Sequence, residues 1–130
     1  MREDLRELVD RARAIAVERE LTDECISGEV GSALRTVAGR VYEGVSIDCG
    51  CGIGFCAEHS AVAAMVTRGE SRISAIVAVS ADGRILPPCG RCRELLVQVS
   101  HDNLATEVVL ADDYVARLAD LLPHRWQELF

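Results

Sequence analysis

Leu5, Leu8, Val9, Ala12, Ile15 and Ala16 recur at the spacing of one face of a 3.6-residue helix, with arginine and glutamate on the opposite face. An amphipathic first helix with one solvated side is therefore expected. Residues 30–36 and 41–47 are strand-like runs separated by Ala38-Gly39-Arg40, which predicts a hairpin. Residues 48–55 then form a glycine-rich segment, expected to be a flexible loop; it lacks the GxGxxG order of a nucleotide-phosphate cradle. A helix is expected over residues 57–67, closing at Arg68-Gly69. Residues 73–80 (Ile-Ser-Ala-Ile-Val-Ala-Val-Ser) are an almost unbroken apolar run, the pattern of a central strand covered on both faces. Asp82-Gly83 turns the chain, and Pro87-Pro88 halts it before a second helix over residues 91–100. Residues 107–110 predict a short strand, and residues 114–122 fit either an edge strand or a helix. No repeat, low-complexity tract or linker interrupts this alternation. It predicts one α/β domain over residues 1–130, with helices on both sheet faces.

Composition narrows the partners. The chain has 130 residues, enough for a real core, and is 49% hydrophobic but only 4% aromatic, so aliphatic side chains must fill the interior. Twenty-one acidic against 14 basic residues give a net charge of −7. A nucleic-acid polymer needs a basic surface, so a small neutral or cationic ligand suits this balance better. No apolar run approaches the roughly 18 residues of a membrane span. The amino terminus is charged and unlike a signal peptide, so a cytoplasmic location without membrane attachment is expected. In that compartment, six cysteines point to metal or thiol chemistry ahead of disulfides.

Two short clusters carry that chemistry: Cys56-Ala57-Glu58 and Pro88-Cys89-Gly90-Arg91-Cys92. Three thiolates can hold a divalent metal and leave a fourth position open, with the Glu58 carboxylate close enough to move protons there. Three soft ligands and an open position favour catalytic zinc, since structural zinc usually takes four protein ligands. Cys89 and Cys92 are three apart, so a first helical turn presents both sulfurs on one side. Both clusters are expected at helix amino termini along one sheet edge, where amide dipoles favour thiolates. Cys56 and Glu58 would stand about 200° apart on an ideal helix, so they converge only if Cys56 sits at the helix edge. Three thiolates leave the zinc site net negative; Arg91, with His59 second, is expected to offset that charge from the surrounding shell.

An alternative stays open at this point. Cys56-x-x-His59 with Cys89-x-x-Cys92 is also the spacing of a closed, structural Cys3His zinc site, in which Glu58 would be a surface residue. Cys25, Cys49 and Cys51 are expected to be packing residues, Arg93 a solvated helix residue, and His101 and His124 surface residues. Trp126 fits a core or interface anchor, or a stacking platform for a flat ligand.

Cys-Ala-Glu followed by Pro-Cys-Gly-Arg-Cys-Arg resembles the zinc-dependent base deaminases, which pair such a glutamate with Pro-Cys-x-x-Cys. Together with Val30-Gly31-Ser32-Ala33-Leu34 and Leu121-Leu122-Pro123, in the same order, these residues make the chain similar to the small cytidine deaminase family, including its blasticidin-S deaminase branch. The resemblance implies a three-layer α/β/α sandwich around a five-stranded mixed sheet, one Zn2+ per subunit and a homotetramer with shared sites, a dimer being the other option. It makes Cys56, Cys89 and Cys92 the ligands and Glu58 the proton shuttle. It implies substrate contacts at Ser46, Asp48, Ala57 and Trp126, with Trp126 closing over the base.

Ordinary cytidine deaminases carry Asn-x-Glu where this chain has Ser46-Ile47-Asp48. The chain also lacks a family phenylalanine near Gly28, and has His59 in place of a family arginine. The implied reaction is hydrolytic deamination of a cytosine-type nucleoside or analogue, such as cytidine, deoxycytidine or blasticidin S. The alternatives are another aminated heterocycle (an amino-purine, pteridine or damaged base) or a non-catalytic zinc-stabilised Cys3His domain.

Overall fold

In a computed structural model, which describes residues 1–129, helix α1 (Glu3–Ile15) leads into a six-stranded mixed sheet. The order continues β1 (Arg19–Thr22), β2 (Cys25–Thr36), β3 (Val41–Cys49), α2 (Ala57–Thr67), β4 (Ile73–Ser80), α3 (Gly90–Val99), β5 (Glu107–Ala111) and β6 (Tyr114–Arg117). β2 is the organising strand. It pairs antiparallel with β3 along one edge, and along the other edge with β1 at its start and β4 over its second half. β5 lies parallel to β4, and β6 closes the sheet antiparallel to β5. Since β3 and β4 both oppose β2, their carboxyl ends emerge at the same sheet edge. α2 and α3 begin there.

Alternation along the strands divides the core into two layers. Ala33, Ala75, Val77, Val79 and Val109 face α1, which contributes Leu5, Leu8, Val9 and Ala12. Leu34, Ile76 and Val108 face the other way, onto Ala61, Val62 and Met65 of α2 and Leu96 and Val97 of α3. One helix thus covers one face and two cover the other, the expected α/β/α sandwich. Asn103, fully buried, ties the layers at one end: its side-chain amide donates to the Ser71 and Leu96 carbonyls (2.9 and 2.8 Å) and accepts the Ile73 N–H at 2.8 Å.

The sheet has six strands rather than the expected five. β1 is exposed at every position, so it carries no hydrophobic period to detect. β2 starts at Cys25, well before residue 30, because backbone pairing to β1 and β3 holds its polar beginning in place. Residues 114–122 satisfy neither alternative throughout: β6 gives way at Leu118–Leu121 to a 3-10 turn that buries Leu118.

Nor is the glycine-rich segment a loose loop. β3 runs through Cys49, a short 3-10 turn follows at Gly50–Gly52, and Phe55 returns to exchange backbone hydrogen bonds with Ile47 (3.0 and 2.8 Å). Gly54 permits that return, since a Cβ there would lie 2.1 Å from the Ile47 carbonyl oxygen.

Candidate functional site

Cys56 and Cys89 are the residues immediately before α2 and α3, both extended (φ −72°, ψ 157° and φ −70°, ψ 171°). Standing at the helix edge, Cys56 escapes the 200° separation that a helical Cys56 and Glu58 would suffer. Cys92 lies in the first turn of α3 and is 1% exposed. The three Sγ atoms lie within 4.8 Å of one another, with Cys56–Cys89 at 3.6 Å and Cys89–Cys92 at 3.5 Å. Sulfurs bound to one tetrahedral zinc at ~2.3 Å stand roughly 3.8 Å apart, so this donor set fits a single Zn2+.

Two side chains, Ser60 and Arg93, hold the helix starts in place. Gly44 of β3 lets α2 approach so closely that a Cβ at this position would sit 2.3 Å from the Ser60 Cβ. Ser60 then donates its hydroxyl to the Val45 carbonyl at 2.7 Å. On the other side, Arg93 donates Nε to the Pro88 carbonyl (2.9 Å) and Nη1 to the Leu121 carbonyl (3.3 Å). Arg93 is therefore half-buried and structural, and the expectation of a solvated residue is corrected. Its only sequence signal is adjacency to Cys92.

The three thiols sit in electrostatically different surroundings. Burial pushes the Cys89 thiol up, but the N–H groups of Cys92 and Arg91 at the start of α3 carry it below its ordinary range. At Cys56, burial wins and the thiol is held up. The expectation that both helix ends favour thiolates holds only at Cys89. Burial, followed by the Glu58 charge, raises Cys92 far above its usual range. A divalent cation among these sulfurs supplies the charge that such a buried thiolate needs.

Glu58 is 6% exposed. Apolar neighbours including Ile76, Ala78, Leu86 and Pro88 surround it. That burial raises its carboxyl pKa, against hydrogen bonds from its own backbone and from Cys92. A closed structural zinc site has no use for such a buried carboxylate. His59 places Nδ1 3.5 Å from Cys92 Sγ, yet among the described residues the donor group within 4.8 Å comprises the three sulfurs alone. Burial and then the Arg91 charge lower the His59 pKa, which favours a neutral ring.

Cys56, Cys89, Cys92 and Glu58 line one cavity of about 400 Å³, within the range of small-ligand sites. Ser46, Asp48, Ala57 and Arg91 line it too, while Val30, Ile47, Phe55, Leu86 and Pro87 supply apolar wall, a role their sequence patterns do not announce. Ser46 Oγ accepts the Val30 N–H at 3.0 Å. Gly28 is absent from the lining, and Trp126 lies outside the cavity of its own chain: its indole N–H donates to Glu94 Oε2 at 3.0 Å. The expected stacking position is not formed within this chain, because the last turn packs along α3. Cys25 and Cys49 are not isolated packing residues; their sulfurs are 3.3 Å apart. Cys51 is exposed.

Residues 2–108 match the cytidine and deoxycytidylate deaminase zinc-binding region. A cytidine deaminase of Mycobacterium tuberculosis is 37% identical over 97 residues, covering 72% of this chain and 69% of that protein. A blasticidin-S deaminase of Bacillus cereus is 34% identical over 82 residues, 56% of this chain and 59% of that protein. The crystal structure of a cytidine deaminase from Mycobacterium tuberculosis superposes with a TM-score of 0.79 at 29% identity, covering 96% of this chain and 98% of the other. With the three sulfurs converging and the match running through both cysteine clusters, the chain belongs to the zinc-dependent cytidine and deoxycytidylate deaminase family.

Proposed function

We propose that this protein hydrolytically deaminates a cytosine-type nucleoside or nucleoside analogue (cytidine, deoxycytidine or blasticidin S) and releases ammonia. One observation carries the proposal: a buried carboxylate, Glu58, shares a ligand-sized cavity with three sulfurs spaced for one zinc. Cys56, Cys89 and Cys92 would hold the zinc, which when bound would supply Lewis acidity to make a water nucleophilic near neutral pH. Glu58 accepts the water's proton as oxygen bonds to the amino-bearing ring carbon. It then protonates the ring nitrogen, takes the second proton from the newly bonded hydroxyl and passes it to the amino nitrogen, which leaves as ammonia as the carbon–nitrogen bond breaks and the carbonyl forms. Cys92 and the apolar wall hold Glu58 out of bulk solvent throughout.

Ser46 accepts a hydrogen bond from Val30, so its own proton remains to donate to the base or sugar. Asp48, exposed at the cavity, offers an acceptor to sugar hydroxyls or to a cationic group. Ala57, fully buried, forms wall beside the base. The Arg91 charge, and the His59 ring beside Cys92, moderate the negative charge of three thiolates. The Ser46/Asp48 pair also suits a second reading, deamination of an amino-purine, pteridine or damaged base, because it departs from the family's Asn-x-Glu.

The whole chain acts as one deaminase unit, cytoplasmic and homotetrameric. Three of the six cysteines gathered as one metal-binding group fit a reducing compartment, and apolar groups at the surface, Ile53, Phe55, Val66 and Trp126, supply area for assembly.

The test is ammonia release and ultraviolet loss of the amine, for zinc-loaded wild type and Glu58→Gln, across cytidine, deoxycytidine, blasticidin S and amino-purines. Wild-type turnover of a pyrimidine that the variant lacks supports the proposal. Turnover of amino-purine alone selects the second reading. A fully zinc-loaded wild type that releases ammonia from none of them overturns both.

A further inference from the structure

Cys25 opens β2 and Cys49 closes β3, and the two residues stand directly opposite each other in the antiparallel ladder. Their sulfurs lie 3.3 Å apart, both half-buried, and neither belongs to the three-sulfur zinc group. Opposed residues in antiparallel strands have Cα atoms about 4.5 or 5.5 Å apart, and both separations fall within the ~4.4–6.8 Å that a disulfide spans. Bond formation needs the sulfurs to close from 3.3 Å to ~2.05 Å.

We propose that Cys25 and Cys49 form a thiol pair that a low-molecular-weight disulfide converts reversibly into an intrachain cross-strand disulfide. In the first exchange, one protein thiolate attacks the small disulfide, forming a mixed disulfide and expelling one small thiolate. The second protein thiolate then attacks the protein sulfur of that mixed disulfide and expels the other. Two protein thiols are oxidised, and one small disulfide is reduced to two thiols. The two protons released with the protein thiolates end on the small thiols.

The location gives the bond a consequence. Cys49 follows Asp48 in the cavity wall. The Gly50 N–H, one residue on, donates to the Glu24 carbonyl at 3.1 Å, beside Cys25. A bond here would pin the wall that β3 contributes, and it would close a chain loop between residues 24 apart, which stabilises against unfolding. This inference rests on geometry alone and does not depend on the reaction proposed above.

The experiment exposes zinc-loaded protein to oxidised glutathione, alkylates the remaining thiols and maps the peptides by mass, with bound zinc and the thermal midpoint measured in parallel. The expected result is a dominant Cys25–Cys49 linked peptide, loss of two titratable thiols, retained zinc and a raised midpoint, all reversed by dithiothreitol. Cys25→Ser should abolish the link and the shift, and Cys51→Ser should keep both. Glutathione attached to Cys51 with Cys25 and Cys49 still reduced would overturn the proposal, as would linkage through Cys56, Cys89 or Cys92. The wild-type map decides even if Cys25→Ser fails to fold.

Discussion

The Arg93 guanidinium holds the Pro88 carbonyl at 2.9 Å, so the residue after the Cys89/Cys92 pair fixes the backbone just before the first of that pair. Its second hydrogen bond, to Leu121, ties the same point to the turn after β6. Arg93→Ala should weaken zinc affinity by roughly ten-fold, as loss of outer-shell support does elsewhere, and lower stability by about 1–3 kcal/mol. Competition with a zinc chelator and denaturant unfolding would measure the two effects. Wild-type zinc affinity in the variant would show that the Pro88 contact is irrelevant to the site.

Gly44 is where β3 and α2 come closest. A methyl group there meets Ser60 and the α2 backbone, so Gly44→Ala must push the helix outward. A cost of about 1–3 kcal/mol is expected from overpacking. Turnover should fall further than stability explains, because Cys56 and Glu58 ride on that helix start. Thermal unfolding and cytidine kinetics on the folded fraction would separate the two.

Metal loss should be read at Cys89 rather than Cys92. Cys92 is buried, so truncation there also opens a cavity, whereas Cys89 is exposed and its loss removes a sulfur without emptying the core. Cys89→Ala is expected to lose zinc and to unfold at a lower temperature. Added zinc should raise the wild-type midpoint and leave the variant's unchanged, since only folded-state binding stabilises. A variant that still carries one zinc per chain would mean that Cys89 is not a ligand.

Far from the site, Tyr42 donates its hydroxyl to Glu70 at 2.6 Å. This bond, with help from Thr36 and Arg40, holds the Glu70 carboxyl below its usual range. A carboxylate pKa lowered in the folded state contributes stability above the unfolded value of ~4.3, lost as pH falls through the folded value. Tyr42→Phe should therefore be less stable than wild type at neutral pH. The gap should shrink once Glu70 is protonated in both. Denaturant midpoints at about pH 7 and about pH 3 test this, and a gap that widens in acid would contradict it.

Much of the molecule was legible in the residues themselves. The α1 stripe of Leu5, Leu8, Val9 and Ala12 is buried as its period predicts, and residues 57–67 and 73–80 form the helix and the central strand that their patterns describe. Cys-Ala-Glu with Pro-Cys-Gly-Arg-Cys marked the chemistry because ligand type and spacing are local properties. β1 stayed hidden, since an exposed strand is held by backbone hydrogen bonds to which every residue type contributes alike.

Tertiary structure decided what depends on residues distant in sequence. Glu58 is buried because β4, β5 and the segment before α3 close around it, not because of its neighbours in the chain. Arg93 turned inward because a carbonyl on the preceding loop and another beyond β6 came within its reach. Cys25 and Cys49 met because strand register set them opposite each other. Periodicity reports which face of an element is apolar; which elements meet, and which polar groups they trap between them, follows only from packing the whole chain.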